Sequence, residues 1–134
     1  MANALYDLGR QAFLEGNIAW LTDDIKLILV DASYVANLAT DEFLNIISGG
    51  DIVATSGNFS GKTSTAGVAD ADNVAIVGVS GNPITQIVIY QDTGSAATSR
   101  LIARIDVATG LPFNPSGGDV VISFDNGVNR IYKL

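Results

Sequence analysis

Cysteine and histidine are both absent from this sequence. Without cysteine there can be no disulfide, no thiolate metal site and no thiol nucleophile. Without histidine the commonest general base and the commonest zinc ligand are missing, so the usual catalytic triads and zinc sites are excluded. Charge is also scarce. Asp, Glu, Lys and Arg make up 16% of the chain, against about 25% in an average soluble domain. Cations are the scarcest: seven Lys and Arg face 14 Asp and Glu, for a formal net charge of -7. Nucleic-acid binding needs a clustered basic footprint, and seven thinly spread cations do not make one. The same sign repels packaged DNA and anionic membrane surfaces. No apolar run reaches the length of a membrane-spanning helix, and the N-terminus lacks the basic and apolar blocks of a signal peptide. The sequence therefore reads as that of a protein made and kept in a cytoplasm.

Small polar residues, mainly Ser, Thr, Asn and Gly, take the place of charges, and the mean hydropathy is +0.34. A monomer this poor in charge is less soluble than most, whereas a subunit that hides surface in an assembly has less need of charge. The length, 134 residues, fits one domain, 1–134, with a core of its own.

The centre of the chain is Ile84–Asp106. Ile84–Tyr90 is rich in β-branched and aromatic residues, and Arg100–Asp106 answers it across a polar loop that begins Asp92-Thr93-Gly94-Ser95. Val88 and Tyr90 share one face, and Ile87 and Ile89 the other. A strand apolar on both faces belongs in the middle of a sheet, with a core on one side and another layer or another subunit on the other. In Arg100–Asp106, alternation puts Leu101, Ala103 and Ile105 on one face, and Ile102, Arg104 and Asp106 on a partly wet one.

Before this centre, Ala2–Glu15 is the best helix candidate, with Leu5, Leu8 and Ala12 at helical spacing and Phe13 beside them. Asn3 can cap it, Gly9 weakens it and Gly16 stops it. Its apolar face must either close the sandwich or dock on a partner. Asn17–Asp24 connects onward and holds Trp20, the single Trp, which reads as core. Ile25–Val30 is an apolar strand broken by Asp31-Ala32-Ser33. Thr40 should cap a short helix, Asp41–Ile47, with Asp41 and Glu42 in its first turn. Strands follow at Ile52–Ser56, Lys62–Val68 and Asn73–Val79, and Ser80-Gly81-Asn82-Pro83 turns the chain into the centre.

After the centre comes the loop Val107–Gly118, which Leu111 and Phe113 should anchor. Asp119–Phe124 and Val128–Leu134 read as a closing hairpin around Asn126-Gly127, the strongest turn signal present. About eight strands, no long crossover helix and frequent turn signals predict a mainly β fold. The class is an antiparallel β-sandwich or jelly roll, with an N-terminal helix and one short internal helix, residues 1–24 packing on the sandwich.

Two short patterns invite a chemical reading. Gly57-Asn58-Phe59-Ser60-Gly61-Lys62-Thr63 resembles a phosphate-binding loop. But three residues separate its glycines where the motif requires four, and Ser64–Val68 is a poor helix where the motif needs a helix N-terminus. A hairpin turn with a solvated lysine is the reading the residues favour. Asp70 and Asp72 place two carboxylates close together, as a hard cation would want. The glycine and distal glutamate of a calcium loop are missing, so an acidic turn is the default. Asp23-Asp24 stands at a strand entry, where charges normally face water. Paired Asp could serve glycoside hydrolysis, but no glutamate cluster or aromatic-lined cleft accompanies them. No catalytic, cofactor-binding or metal-binding residue is assigned, and no cofactor is expected.

Several stretches together, FLEGNIAWLTDDIKLILVD, VATSGNFSGKT, GVADADNV, IVIYQDTG, SRLIARIDVATGLPFNPSGGD and SFDNGVNRIYKL, resemble a group of small proteins encoded among the virion structural genes of tailed bacteriophages and prophages. The resemblance spans nearly the whole chain in phrasing and order and includes no catalytic signature. It implies a non-enzymatic virion component, with the head-bound members acting as cement or decoration proteins. The implied partner is the major capsid protein on the outer head surface, at threefold or quasi-threefold positions, with self-association as a homotrimer. Neither nucleic acid nor membrane is an expected partner. Two other readings stand beside it: a tail, neck or baseplate component, and a small carbohydrate-binding or hydrolytic jelly-roll module, since fold does not fix function.

Overall fold

The structure is a computed structural model that describes residues 4–106, 108, 110–124 and 131–133. It is a mainly β, antiparallel sandwich. The elements in chain order are β1 (Ala4–Leu5), α1 (Asp7–Leu14), β2 (Ile25–Val30), β3 (Ile52–Thr55), β4 (Val68–Ala69), β5 (Val74–Ile76), β6 (Gln86–Gln91), β7 (Leu101–Ile105), β8 (Val120–Ile122) and β9 (Tyr132–Lys133). One sheet has the order β1-β7-β6-β2-β3. Two ladders, β4 with β9 and β5 with β8, pack against it.

β6 lies in the middle of the five strands, as its two apolar faces require. On one face, Leu27, Leu29, Ile87 and Ile89 meet Ala12 of α1, Trp20, Phe59, Val74 and Ile76. On the other, Ile28, Val30, Val88 and Tyr90 meet Tyr6, Tyr34 and Ile47. The second face is thus covered by the chain's own 31–52 segment, not by another subunit. Each fully buried Leu or Ile here contributes about 1.5–3 kcal/mol.

Alternation fails in β7. Tyr90 pairs with Leu101 and Ile89 with Ala103, so Ile102 is the extra residue of a bulge. The bulge turns Leu101 to the Tyr6–Tyr34 side, while Ile102, Ala103 and Ile105 all face the α1 side. A bulge breaks the two-residue period, which corrects the faces expected for both Leu101 and Ile102.

The helix is shorter than the spacing predicts. Residues 4–6 run extended, pairing Ala4 with Arg104 and Leu5 with Ala103, and the Tyr6 N–H donates to the Ile102 carbonyl at 2.9 Å. Leu5 enters one core and Tyr6 the other. Adjacent residues can reach opposite faces only in a strand, so tertiary pairing overrides helical spacing. The helix begins at Asp7, with Tyr6 in the cap position; Asn3, the expected cap, lies outside the described residues. It packs on β7 and closes this side of the sandwich. Gly9 is buried there, where a Cβ would stand 2.4 Å from the Leu101 carbonyl oxygen. Gly16, at φ +78°, ends the last turn.

Other elements also differ from expectation. Asp41–Ile47 forms only a 3₁₀ turn, Leu44–Ile46, because Asp41 is engaged elsewhere. Lys62–Val68 is not a strand. Thr63 bridges Asp70, a 3₁₀ turn follows at Thr65–Gly67, and the strand begins at Val68. Among the described residues the closing segments are not paired with each other: β8 pairs with β5 and β9 with β4. The Asn126-Gly127 turn lies outside the described residues. Leu111 anchors the long loop by packing on the core, as expected, whereas the Phe113 side chain is 36% exposed and Phe113 holds through main-chain hydrogen bonds of 2.7 and 2.8 Å exchanged with Ile84. Trp20 is core. Its ring meets Phe59 and Tyr132 edge-on, and its Nε1 donates to the Thr63 carbonyl at 3.0 Å.

Candidate functional site

The patterns singled out in the sequence resolve into turn geometry. The Lys62 Nζ donates to the main-chain oxygen of Asp23 and ties the 57–62 turn to the connector before β2. No helix N-terminus follows it, so the phosphate-loop reading has no structural counterpart. The lysine is half-buried and bonded, not solvated. The Asp72 carboxylate accepts from the Ser60 hydroxyl at 3.3 Å. It packs so closely over Gly61 (φ +64°) that a Cβ there would lie 2.4 Å from Oδ1. The Asp70 main chain exchanges hydrogen bonds with Thr63. Asp23 accepts from the Ala19 N–H at 2.8 Å and the Gln91 amide at 2.6 Å, which turns its carboxylate inward to cap the connector. Among the described residues, no group of three or more acidic side chains is placed to hold a metal ion. Nor is any described helix long and apolar enough to cross a membrane.

Two polar constellations on the Tyr6 face of the sheet were not anticipated. The first is a buried relay. The Tyr34 hydroxyl donates to Asp41 Oδ2 at 2.7 Å and lies 2.9 Å from the Tyr6 hydroxyl. Tyr34 has one proton and gives it to Asp41, so Tyr6 is the donor in the second bond. The Asn37 N–H donates to the same carboxylate oxygen at 2.9 Å. All three side chains are buried. Burial raises the Tyr6 hydroxyl to about 12 and pushes that of Tyr34 higher still.

The second constellation centres on Gln86, a buried amide in a strand otherwise dominated by apolar residues. Its Nε2 donates to the carbonyls of Asp31 and Tyr34, both at 2.8 Å. Its Oε1 accepts from Arg104 Nε at 2.6 Å, and Arg104 Nη1 donates to Asp106 at 2.9 Å. The Asp31 carboxylate accepts from the Asn82 amide and the Ser33 N–H, which hold it below the usual carboxylate range. Of these groups, Gln86, Arg104 and Asp106 border a concavity of about 430 Å³ between the 32–36 loop and the adjoining ends of β6 and β7. The signal in the sequence was Gln86 itself, since a buried polar side chain inside an apolar run must be hydrogen-bonded.

Two apolar features complete the inventory. A cavity of about 280 Å³ lies between Leu29, Ile84 and Ile87 of the large-sheet side and Leu111, Phe113 and Val120 of the covering layer. The β5–β8 ladder is apolar on both faces. Val74 and Ile76 point into the core with Val120 and Ile122 against it, while Ala75 and Val121, which pair directly, point outward. Val121 is 60% exposed, and Val77 just beyond β5 is 79% exposed.

No protein-family model matches the chain, and a search of curated protein sequences returns no significant match.

Proposed function

We propose that this chain is a structural virion protein, a cement subunit that binds the major capsid protein on the outside of a tailed-phage head and stabilises the expanded shell. The geometric observation that carries the reading is the outward face of the β5–β8 ladder. A strand pair apolar on both sides but covered on one leaves Ala75, Val77 and Val121 for a partner. The resemblance to phage structural proteins supplies the class of partner. The low charge content supplies the chemistry of contact, largely apolar and hydrogen-bonded. The acidic balance suits the outside of a DNA-filled head. Trimerisation belongs to the same proposal. It rests on low charge and on this face, since the chain itself covers both sides of β6. The reading gives the chain no catalytic role.

A cement subunit acts by adding contacts across capsomer boundaries, and many weak copies on a closed lattice act together. Heads lacking the protein should assemble but release DNA at a lower temperature, and adding purified protein back should restore them. Restoration should survive high salt, which screens exposed charge pairs but not apolar contacts. The Val77→Asp/Val121→Asp double variant should keep its own melting temperature and fail to restore the heads. Identical release curves with and without the protein would remove the cement role. A copy number of a handful per particle would move the protein to the tail, neck or baseplate.

A further inference from the structure

We propose that the concavity bordered by Arg104 and Thr85 is a binding site for a neutral polyhydroxyl ligand, a single sugar residue. The proposal does not depend on the cement reading.

The site is held from beneath. Gln86 is 2% exposed, and its amide is fully committed to two carbonyls and to Arg104 Nε. Asp106 fixes Nη1 from a second direction. A planar guanidinium restrained at two of its nitrogens cannot swing away, and this kind of preorganisation makes a site specific. An arginine has five N–H donors, and the structure uses two of them. The other three have no partner among the described residues, although the side chain is only 21% exposed. Thr85 is half-buried beside them, and its hydroxyl makes no hydrogen bond among the described residues. The concavity therefore presents several open donors and one hydroxyl that can give or accept. Ala32, Val35 and Ala36 supply apolar wall, and Tyr34 also lines the space.

Local charge selects the class of ligand. Arg104 is paired with Asp106, and Arg104 is the one cation among the residues that line the concavity. The whole chain carries -7. An anion would find no unpaired cation in the lining, while neutral oxygens need none. Sugar hydroxyls accept from a guanidinium, exchange hydrogen bonds with a threonine, and leave C–H faces for small apolar side chains. A volume of about 430 Å³ falls within the range of small-ligand sites, about 300–1,000 Å³.

The test is an NMR titration of the full chain, following the Arg104 Nε–H and Thr85 amide signals. The probes are methyl α-D-glucopyranoside, methyl α-D-mannopyranoside, methyl β-D-galactopyranoside and N-acetylglucosamine. Glycerol serves as the small-polyol control, and sodium acetate against sodium chloride as the anion control. At least one sugar should give a saturable shift at both signals, with Kd of about 1 mM, as a few hydrogen bonds allow. Arg104→Lys should weaken it by about tenfold or more. That variant can disturb the Gln86 network, so Thr85→Val provides the second arm. It should weaken binding severalfold while leaving the melting temperature unchanged. The proposal is overturned if none of the four sugars saturates, or if glycerol shifts the signals equally. Indifference to Thr85→Val would also overturn it. Saturation by acetate alone would make this an anion site and equally defeat the proposal.

Discussion

Replacing Gly9 by alanine sets two physical effects against each other. Gly9 sits inside α1, where alanine is intrinsically better by about 0.5–1 kcal/mol. By propensity alone Gly9→Ala should stabilise the protein. The packing argues the reverse. The new Cβ would lie 2.4 Å from the Leu101 carbonyl oxygen and 3.3 Å from the Ile102 Cα. The first distance is shorter than any normal contact, and the atoms it meets are backbone atoms of β7, which cannot rotate aside. Either α1 withdraws, loosening Ala12 from its core, or the bulge at Ile102 shifts, together with the bond from the Tyr6 N–H. Overpacking of this kind costs about 1–3 kcal/mol even after relaxation. Net of the propensity gain, the variant should lose about 1–2 kcal/mol, with a fall in melting temperature of about 3–8 °C. Urea unfolding should show a lower midpoint at unchanged slope. Gln11→Ala, on the exposed side of the same helix, is the control and should change little. A Gly9→Ala variant as stable as the parent, or more so, would mean that α1 does not approach β7 this closely.

The buried tyrosines predict an alkaline limit to stability. Burial raises Tyr6 and Tyr90 to about 12, and it moves Tyr34 and Tyr132 in the same direction. The unfolded chain ionises near 10, so stability should be intact below about pH 10 and fall as pH rises towards 12. For Tyr6 and Tyr90 the loss amounts to roughly 2–3 kcal/mol each. Tyrosinate absorbance appearing near pH 10 without unfolding would contradict this. Asp41→Ala should cost about 2–4 kcal/mol, since it strips the acceptor from the buried Tyr34 hydroxyl and the Asn37 N–H. Tyr6→Phe, at the donor end of the relay, should cost only about 1 kcal/mol. Denaturation midpoints in the opposite order would reverse the direction of the relay.

The elements legible in the sequence were those whose local pattern and tertiary role agree. Ile25–Val30 forms a strand over the expected residues, because the consecutive apolar residues Leu27–Val30 can be satisfied only between two cores. β6 was placed centrally for the same reason. Gly16 was readable from turn chemistry, and the anchored loop from Leu111, an apolar side chain in a polar stretch. The failures have particular causes. β1 was concealed because Leu5 also fits a helical stripe. A bulge leaves no period of its own, so Leu101 could not be assigned to its face. Asp41 is as good a first-turn residue as it is a buried acceptor, and only Tyr34 decides between them. A turn signal proposes a pairing but does not choose the partner, which is how β8 and β9 came to be read as neighbours. The Arg104 concavity was the least legible feature. Its parts come from the 32–36 loop and from two strand ends and have no shared spacing. Gln86, a polar residue inside an apolar strand, is the one signal that could have pointed to it.

The β2–β6 ladder has a consequence for how the chain is made. Ile25 pairs with Gln91 and Val30 with Gln86, so the partners are 66 and 56 residues apart in the chain. On a ribosome adding about 5–20 residues per second, β2 waits roughly 3–13 seconds for its central partner. During that interval Leu27–Val30, among the most deeply buried residues of the finished molecule, can find only β3 beside it and has one edge open. The nascent chain is thus most prone to aggregation just before its middle is complete. Slower elongation through residues 31–85 would prolong that exposure, and a chain stalled before Gln86 could not end it.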